Sequence, residues 1–318
     1  MILLDPVHHH RTSVAGLAAV ATVFFLWTAC ANAQQTFSTP EEAAGALAVA
    51  IKSGAQTNIL RVLGFRGADI VSSGDDVADA EARQHFTAAY DAKHSIKLED
   101  DKKGVIILGA DDFPFPIPLV REKHGWGFDT ATGRLEILYR RIGRNELDAI
   151  QTCLSYVDAQ NEYAEKDRTG AGIGVYAQRI VSASGKKDGL YWPSSDGDQS
   201  PLGELAAQAS AEGYKVGSGA VPYHGYYYRI LTQQGPNAPG GTLNYVVKGK
   251  MIGGFALVAY PAEYGNSGVM TFLVNHTGTV YQKDLGNRTL NLVMGMPWFD
   301  PDQTWKKVNT ADLRRANP

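Results

Sequence analysis

The sequence predicts an α+β fold, with N-terminal helices and a short curved sheet followed by a long helix packed on an antiparallel sheet. Three observations predict it. Apolar residues recur at helical spacing before residue 94 and again between residues 135 and 166. Residues 104–129 contain a short apolar run and alternating prolines, which are typical of short strands. The block Pro222–Gly286 holds 10 aromatic residues, 11 glycines and 6 charged residues in 65 positions, as in strands cut by turns.

The N-terminus has the pattern of a secretory signal. The apolar run Val14–Trp27 follows a weakly basic start and precedes Ala31, Asn32 and Ala33, small residues of the kind found at a cleavage site. The run is short for a membrane span. We therefore expect residues 1–33 to be a signal peptide, the protein to be periplasmic or secreted, and no transmembrane segment to remain after cleavage. A membrane anchor and a lipoprotein acylated at Cys30 are the alternatives.

Charge and cysteine content limit the partners and the cross-links that the protein can have. The net charge of −3 lacks the basic excess of nucleic-acid-binding domains, so we expect no nucleic-acid partner. Cleavage after Ala33 leaves only Cys153, which excludes an internal disulfide.

The first predicted part spans residues 35–139. Thr39, Pro40 and Glu42 form a capping-box start for a helix that runs to about Ser53. A second helix is predicted from Asp79 to about Lys93. Val105–Leu108 and Lys123–Asp129 predict strands, and the prolines of Phe113–Pro118 favour an edge strand or an extended segment.

The second predicted part spans residues 140–318. A helical stripe that begins near Leu135 is interrupted at Gly143 and continues from Asn145 to Lys166. Cys153 lies beside this stripe, which favours a buried structural thiol. The β-rich block then supplies the sheet against which the helix packs.

No motif predicts catalysis, a cofactor or a metal. The glycines of Gly170–Gly174 follow a helix, whereas a dinucleotide-binding loop precedes one. The histidines of the expected mature chain lack the close pairing of zinc sites: His85, His94, His124, His224 and His276. We therefore expect no catalytic, cofactor-binding or metal-ligating residues.

The tyrosines at the start of the β-rich block are the best candidates for a binding surface. Strand alternation would put Tyr226 and Tyr228 on one face and Tyr227 on the other. Tyrosine combines a rigid apolar ring with a polar tip, which suits a glycan, a peptide or an envelope protein as partner. The alternative is that these rings only pack the sheet. The candidate ligand or partner surface consists of His224, Tyr226, Tyr227, Tyr264 and Asn275.

Several segments along the expected mature chain are distinctive together: Arg141–Leu147, Tyr156–Tyr163, Asp188–Trp192, Tyr223–Thr232, Gly254–Pro261, Tyr264–Gly265, Ser267–Phe272 and Val280–Gly286. In these segments the chain resembles the bacterial exported family catalogued as domain of unknown function 2950. That family has no assigned catalytic residues, so the resemblance implies no activity.

The second half also resembles the globular domain of type IV pilins and pseudopilins. A helix that ends near Tyr163, the segment Gly225–Leu231 and a last hairpin around Met270–Val274 carry this resemblance. It implies one long helix across an antiparallel sheet. The chain departs from the pilin pattern, because more than a hundred residues precede the helix.

These observations predict an exported bacterial protein that acts by binding or as an envelope-associated component, without chemistry of its own. An extracytoplasmic hydrolase with no recognisable motif and a secretion or pilus accessory subunit are the alternatives.

Overall fold

The computed structural model describes residues 34–310, apart from residues 169, 171, 194–196, 216 and 218–220. The predicted signal peptide and Cys30 lie outside this part of the chain. The described helices are α1 Pro40–Lys52, α2 Gln56–Leu63, α3 Ala68–Val71, α4 Asp76–Ala92, α5 Thr130–Ala164, α6 Gly203–Ala211 and α7 Thr289–Met294. None of these helices is both long enough and apolar enough to cross a membrane.

The starts of α1 and α4 follow from local capping. The Thr39 hydroxyl accepts a hydrogen bond from the Glu42 N–H, and the Glu42 carboxylate accepts one from the Ser38 N–H. This confirms the predicted start of the first helix. The carboxylate of Asp75 caps α4 by accepting from the N–H groups of Val77 and Ala78, so this helix begins slightly before the predicted residue.

The long helix is continuous, and the predicted interruption at Gly143 is wrong. Helix α5 runs for 35 residues, and Gly143 lies within it without a break. One exposed glycine costs a helix about 1 kcal/mol relative to alanine. The packing of the buried stripe on both sides of Gly143 outweighs that cost.

The first sheet is antiparallel and contains five strands, in the order β1-β2-β4-β5 with β3 also paired to β2. Its short strand β3 confirms that the proline-rich segment is extended and lies at an edge. The strands are β1 His94–Asp100, β2 Lys103–Leu108, β3 Phe113–Pro114, β4 Leu119–Glu122 and β5 Gly125–Phe128.

The second large sheet comes from the β-rich block and the C-terminal region. Its strands are β6 Tyr226–Leu231, β11 Ala256–Pro261, β12 Met270–Asn275, β13 Val280–Asp284 and β14 Lys306–Lys307. All pairings are antiparallel, in the order β14-β13-β12-β11-β6. Two small antiparallel pairs complete the block, β7 Gln233–Gln234 with β8 Leu243–Asn244 and β9 Val246–Val247 with β10 Lys250–Met251.

Helix α5 packs on β11, β12 and β13, which confirms a long helix on an antiparallel sheet and the α+β class. One apolar cluster joins α5 to the second sheet, and another fills the space between α1, α2, α4 and the first sheet. The described residues belong to one compact unit, Asn32–Pro318. The predicted boundary at residues 139 and 140 falls inside α5, and the division into two domains stays a prediction.

Polar contacts connect the N-terminal helices to the second sheet. The Arg141 guanidinium donates to the carbonyls of Asp69 and Ile70 and to the side-chain oxygen of Asn266. The Asn266 amide in turn donates to the Ser72 carbonyl. Because these partners lie far apart in sequence, the network fixes the segment before α4 relative to α5.

Candidate functional site

A cleft with a volume of about 700 Å³ lies between α4 and α5. The cleft runs along α4, from Ala78 to Ala89. Near the start of α4, Val77 lies close to Gly213, and near its end Ala89 lies close to Gly109. Val77 and Ala89 are twelve positions apart, which corresponds to about 18 Å along the helix axis.

One end of the cleft is apolar. The rings of Phe86 and Phe115 meet edge to face at 5.3 Å between centroids, and the Arg140 guanidinium lies over the Phe113 ring. Other large apolar residues line the cleft along its length, from α1, α2, the α3 region, β2, the segment after β3 and α5: Ile51, Ile59, Leu63, Ile70, Val71, Leu108, Pro116, Ile117 and Ile137.

The other end holds a histidine between two carboxylates. The His224 Nδ1 lies 2.8 Å from an Asp148 carboxylate oxygen, and its Nε2 lies 2.8 Å from a Glu212 oxygen. Asp148 belongs to α5, Glu212 follows α6, and His224 precedes β6. All three side chains are partly buried. The cluster therefore joins three separate elements at one point of the cleft wall.

A tight turn presents the His224 side chain. Tyr223 and Tyr226 exchange backbone hydrogen bonds across the two residues between them, as in a two-residue hairpin turn. Both central residues have positive φ, +49° at His224 and +74° at Gly225. Such a φ is uncommon for a residue with a side chain. Because surrounding contacts hold the His224 backbone in this uncommon conformation, its imidazole has a functional or structural role.

Asp75 and Tyr214 hold the His224–Gly225 turn in place by hydrogen bonds. The Tyr214 hydroxyl donates to an Asp75 carboxylate oxygen at 2.8 Å, and the Gly225 N–H donates to the same oxygen at 2.9 Å. The His224 N–H donates to the Tyr214 hydroxyl. Burial, and then the Asp75 carboxylate, raise the pKa of Tyr214, so this phenol stays neutral and remains a donor.

The environment of His224 favours the imidazolium. Burial on its own would lower the pKa of His224, but the hydrogen bonds to Asp148 and Glu212 and their negative charges outweigh burial and raise it. Because a carboxylate occupies each ring nitrogen, the imidazole has no nitrogen left to take a proton from a substrate. The cluster is thus suited to holding elements together rather than to general-base catalysis.

The middle of the cleft is rich in arginine. Burial lowers the pKa of Arg141, whose guanidinium makes three hydrogen bonds in the polar network described above. Arg83 on α4 is half-buried and Arg144 on α5 is exposed. Within residues 34–310 as described, neither of these two guanidinium groups makes a hydrogen bond or an ion pair. Their N–H groups are therefore available to a ligand, although the Arg83 charge is also attracted to Asp79.

The structure separates the five residues of the predicted binding surface. Only His224 lines the large cleft. Tyr226 and Asn275 are fully buried, so their placement on an exposed surface was wrong. Tyr226 donates to the Met270 carbonyl, and Asn275 accepts from Thr277 in the turn after β12. The reason is that both faces of this part of the sheet are covered, so alternation along a strand exposes neither face.

The other two residues lie in different places. Tyr227 is half-buried, packs against the Tyr260 ring and lines a second, smaller cavity of about 300 Å³. Tyr264 is partly exposed in the turn between β11 and β12, where its hydroxyl lies 3.3 Å from Asp284. The five residues do not form one surface, and ligand binding by any of them stays a prediction.

Most of the residues at the polar end of the cleft could not be predicted from the sequence. Asp75, Asp148, Glu212 and Tyr214 stand in no motif, and their contacts span up to 150 positions along the chain. The histidine-glycine pair between aromatic residues is a turn signal that draws attention to His224, but nothing local identifies its partners. Arg83 and Arg144 likewise look like solvated helix residues.

Among the described residues, neither a cluster that could hold a metal ion nor an accessible thiol is present. Across the described ranges, no group of three or more His, Cys, Asp or Glu side chains is arranged to hold a metal ion. Cys153 is fully buried, as predicted, and burial raises the pKa of its thiol to about 12. Cys153 is therefore a packing residue of the core.

Comparison with known proteins gives a family and no activity. No curated protein and no solved structure gives a significant match to the chain. The model of the family described as Protein of unknown function (DUF2950) matches residues 34–308, which covers all the strands and helices described above. The chain therefore belongs to the DUF2950 family of proteins of unknown function.

Proposed function

We propose that this chain is an exported, non-catalytic binding protein of the bacterial envelope whose α4–α5 cleft takes an elongated, largely apolar ligand. The cleft itself is the observation that carries the proposal. Its volume lies within the range of about 300–1,000 Å³ that is common for small-molecule sites. Apolar side chains from several elements line one end, and polar groups stand at the other, as ligand sites often combine them.

The lining favours a lipid-like ligand over a glycan. A glycan needs many hydrogen-bond partners, whereas the side chains of Phe86, Phe115 and Ile137 themselves offer none. Removing an alkyl chain from water contributes about 0.8 kcal/mol for each buried methylene group. An extended apolar chain is therefore the ligand that gains most from this end of the cleft.

The polar end supports binding without catalysis. His224 is the titratable group best placed for proton transfer, and both of its ring nitrogens are held by carboxylates. A hydrolase would need a nucleophile within reach of a free base. The alternative of an unrecognised hydrolase therefore has less support than binding.

A neutral fluorescent probe can test binding in the cleft. N-phenyl-1-naphthylamine should bind the purified protein saturably, with a rise in fluorescence. Ala82→Trp places a large ring on the cleft face of α4 and should abolish that signal. The matched control is Ala88→Trp, an exposed position on the same helix outside the lining, which should bind as wild type does. Equal binding by Ala82→Trp and wild type, or none by wild type, would contradict the proposal.

Export is a separate part of the proposal and has its own test. Its support is the apolar run Val14–Trp27 followed by small residues up to Ala33. The full chain produced with a C-terminal tag in a bacterial host should appear outside the cytoplasm, with a mass that lacks residues 1–33. A full-length mass in the cytoplasmic fraction would contradict export, and a mature chain acylated at Cys30 would favour the lipoprotein alternative.

The pilin-like character of the second half also remains a proposal, with a secretion or pilus accessory role as the function it would suggest. Its support is that α5 packs on the antiparallel strands β11, β12 and β13. An experimental structure with the same helix and strand order as the globular domain of a pilin would support it. A different strand order would contradict it.

A further inference from the structure

We infer that Arg83 and Arg144 bind the carboxylate head of a single-chain anionic amphiphile whose alkyl chain occupies the apolar end of the cleft. The inference rests on the proposed function, because it names the class of ligand for the same cleft. It adds a charge requirement that the apolar lining alone does not impose.

The two guanidinium groups face the same cavity from opposite walls. Arg83 extends from α4 and Arg144 from α5, and both line the cleft. Each has five N–H donors, and in the described part of the chain no carboxylate or carbonyl accepts from either. Two such groups beside an apolar wall form a site for an anion, since guanidinium matches carboxylate in shape and charge.

The carboxylates that line the cleft do not neutralise the two arginines, because nearly all of these carboxylates already have hydrogen-bond or ion-pair partners. Asp79 is buried and accepts from the Ser73 N–H, and its charge is attracted to Arg141 and, more weakly, to Arg83. Glu81 lies 3.5 Å from His85. Asp148 and Glu212 both contact His224.

Asp111 is the exception among the described residues of the lining. It is exposed in the turn between β2 and β3, near the Ala89 end of α4. Arg140 at that end is already paired with Glu136. An anionic head is therefore repelled by Asp111 there and attracted to Arg83 and Arg144. This charge arrangement sets the direction in which the amphiphile lies.

The apolar end takes the tail. Arg83 precedes Phe86 by less than one helical turn, and Phe86 packs against Phe115. A head bound at Arg83 and Arg144 therefore leaves its tail beside Phe86, Phe115 and Ile137. The cleft volume of about 700 Å³ accommodates a single alkyl chain.

Displacement of the neutral probe distinguishes the head groups. At about pH 8, where a free carboxylic acid is ionised, dodecanoate should displace N-phenyl-1-naphthylamine at a concentration about tenfold below that of dodecanol, a factor that corresponds to 1.4 kcal/mol. Dodecylammonium should displace it least. All three should be used below the concentrations at which they form micelles.

Substitution of the two arginines identifies the contact. The double variant Arg83→Gln with Arg144→Gln should weaken dodecanoate about tenfold and leave the probe and dodecanol unchanged. Glutamine favours helices as arginine does, and unchanged probe binding shows that the variant is folded. The matched control replaces Arg121 and Arg288 by Gln, since both are exposed and lie outside the cleft lining.

The outcomes separate the two proposals. Saturable probe binding with equal displacement by dodecanoate and dodecanol overturns the inference and leaves the proposed function standing. An unaltered preference for dodecanoate in the double variant also overturns it. Absence of probe binding to wild type overturns both.

Discussion

At the residue scale, His224 joins α5, the end of α6 and the turn before β6. Its carboxylate partners lie 76 and 12 positions away in the chain, and its backbone sits in a left-handed conformation. Local sequence supplies the turn, because glycine follows the histidine. The partners depend on how α5 and the end of α6 pack, so no local pattern contains them.

Replacement of His224 by Gln should destabilise the protein more at acidic than at alkaline pH. The folded state raises the pKa of His224, so its stabilisation is complete below the ordinary histidine pKa of about 6.5 and is lost as pH rises through the raised value. We expect a loss of about 1–3 kcal/mol at about pH 5.5 and a smaller loss at about pH 9, measured by urea unfolding.

The matched control for this prediction is His124→Gln, at an exposed residue in the turn between β4 and β5. It should leave the unfolding free energy unchanged at both pH values. An equal loss at both pH values in the His224 variant would show that the ion pairs do not stabilise the fold.

At the element scale, local capping was predictable and helix continuity was not. The start of α1 depends on Thr39, Pro40 and Glu42, which are neighbours in sequence. The continuity of α5 through Gly143 depends on tertiary packing of the stripe on either side, which a local glycine rule ignores. The same limitation explains the error at Tyr226 and Asn275, because strand alternation does not tell whether one face or both are covered.

Two glycine substitutions should change the free energy of unfolding in opposite directions. Gly143→Ala should stabilise the protein by about 0.5–1 kcal/mol, because the position is helical and a Cβ there meets open space. Gly225→Ala should destabilise it by about 1–3 kcal/mol, because φ is positive and the Cβ would crowd Asn145 and Ser267. Thermal or urea unfolding measures both. Destabilisation by Gly143→Ala would indicate that α5 is not continuous.

At the scale of the whole molecule, the cleft arises where the N-terminal helices meet the long helix. Helix α4 is fixed at its start by Asp75, which also holds Tyr214 and the Gly225 N–H. Helix α5 is fixed by Arg141 and by Glu146, whose carboxylate accepts from the N–H groups of Val269 and Met270. The α+β class was predictable from periodicity, whereas the cleft required the relative placement of two helices that are distant in sequence.

Photolabelling tests the central claim, that the α4–α5 cleft is the ligand site, most directly. A neutral alkyl diazirine probe should, on irradiation, label peptides from Asp76–Ala92 and from residues 113–117, as mapped by mass spectrometry. Ala82→Trp should remove this labelling and Ala88→Trp should retain it. Labelling concentrated instead on the exposed apolar side chains Leu290, Leu292 and Met294 of α7, with the cleft peptides unlabelled, would contradict the claim.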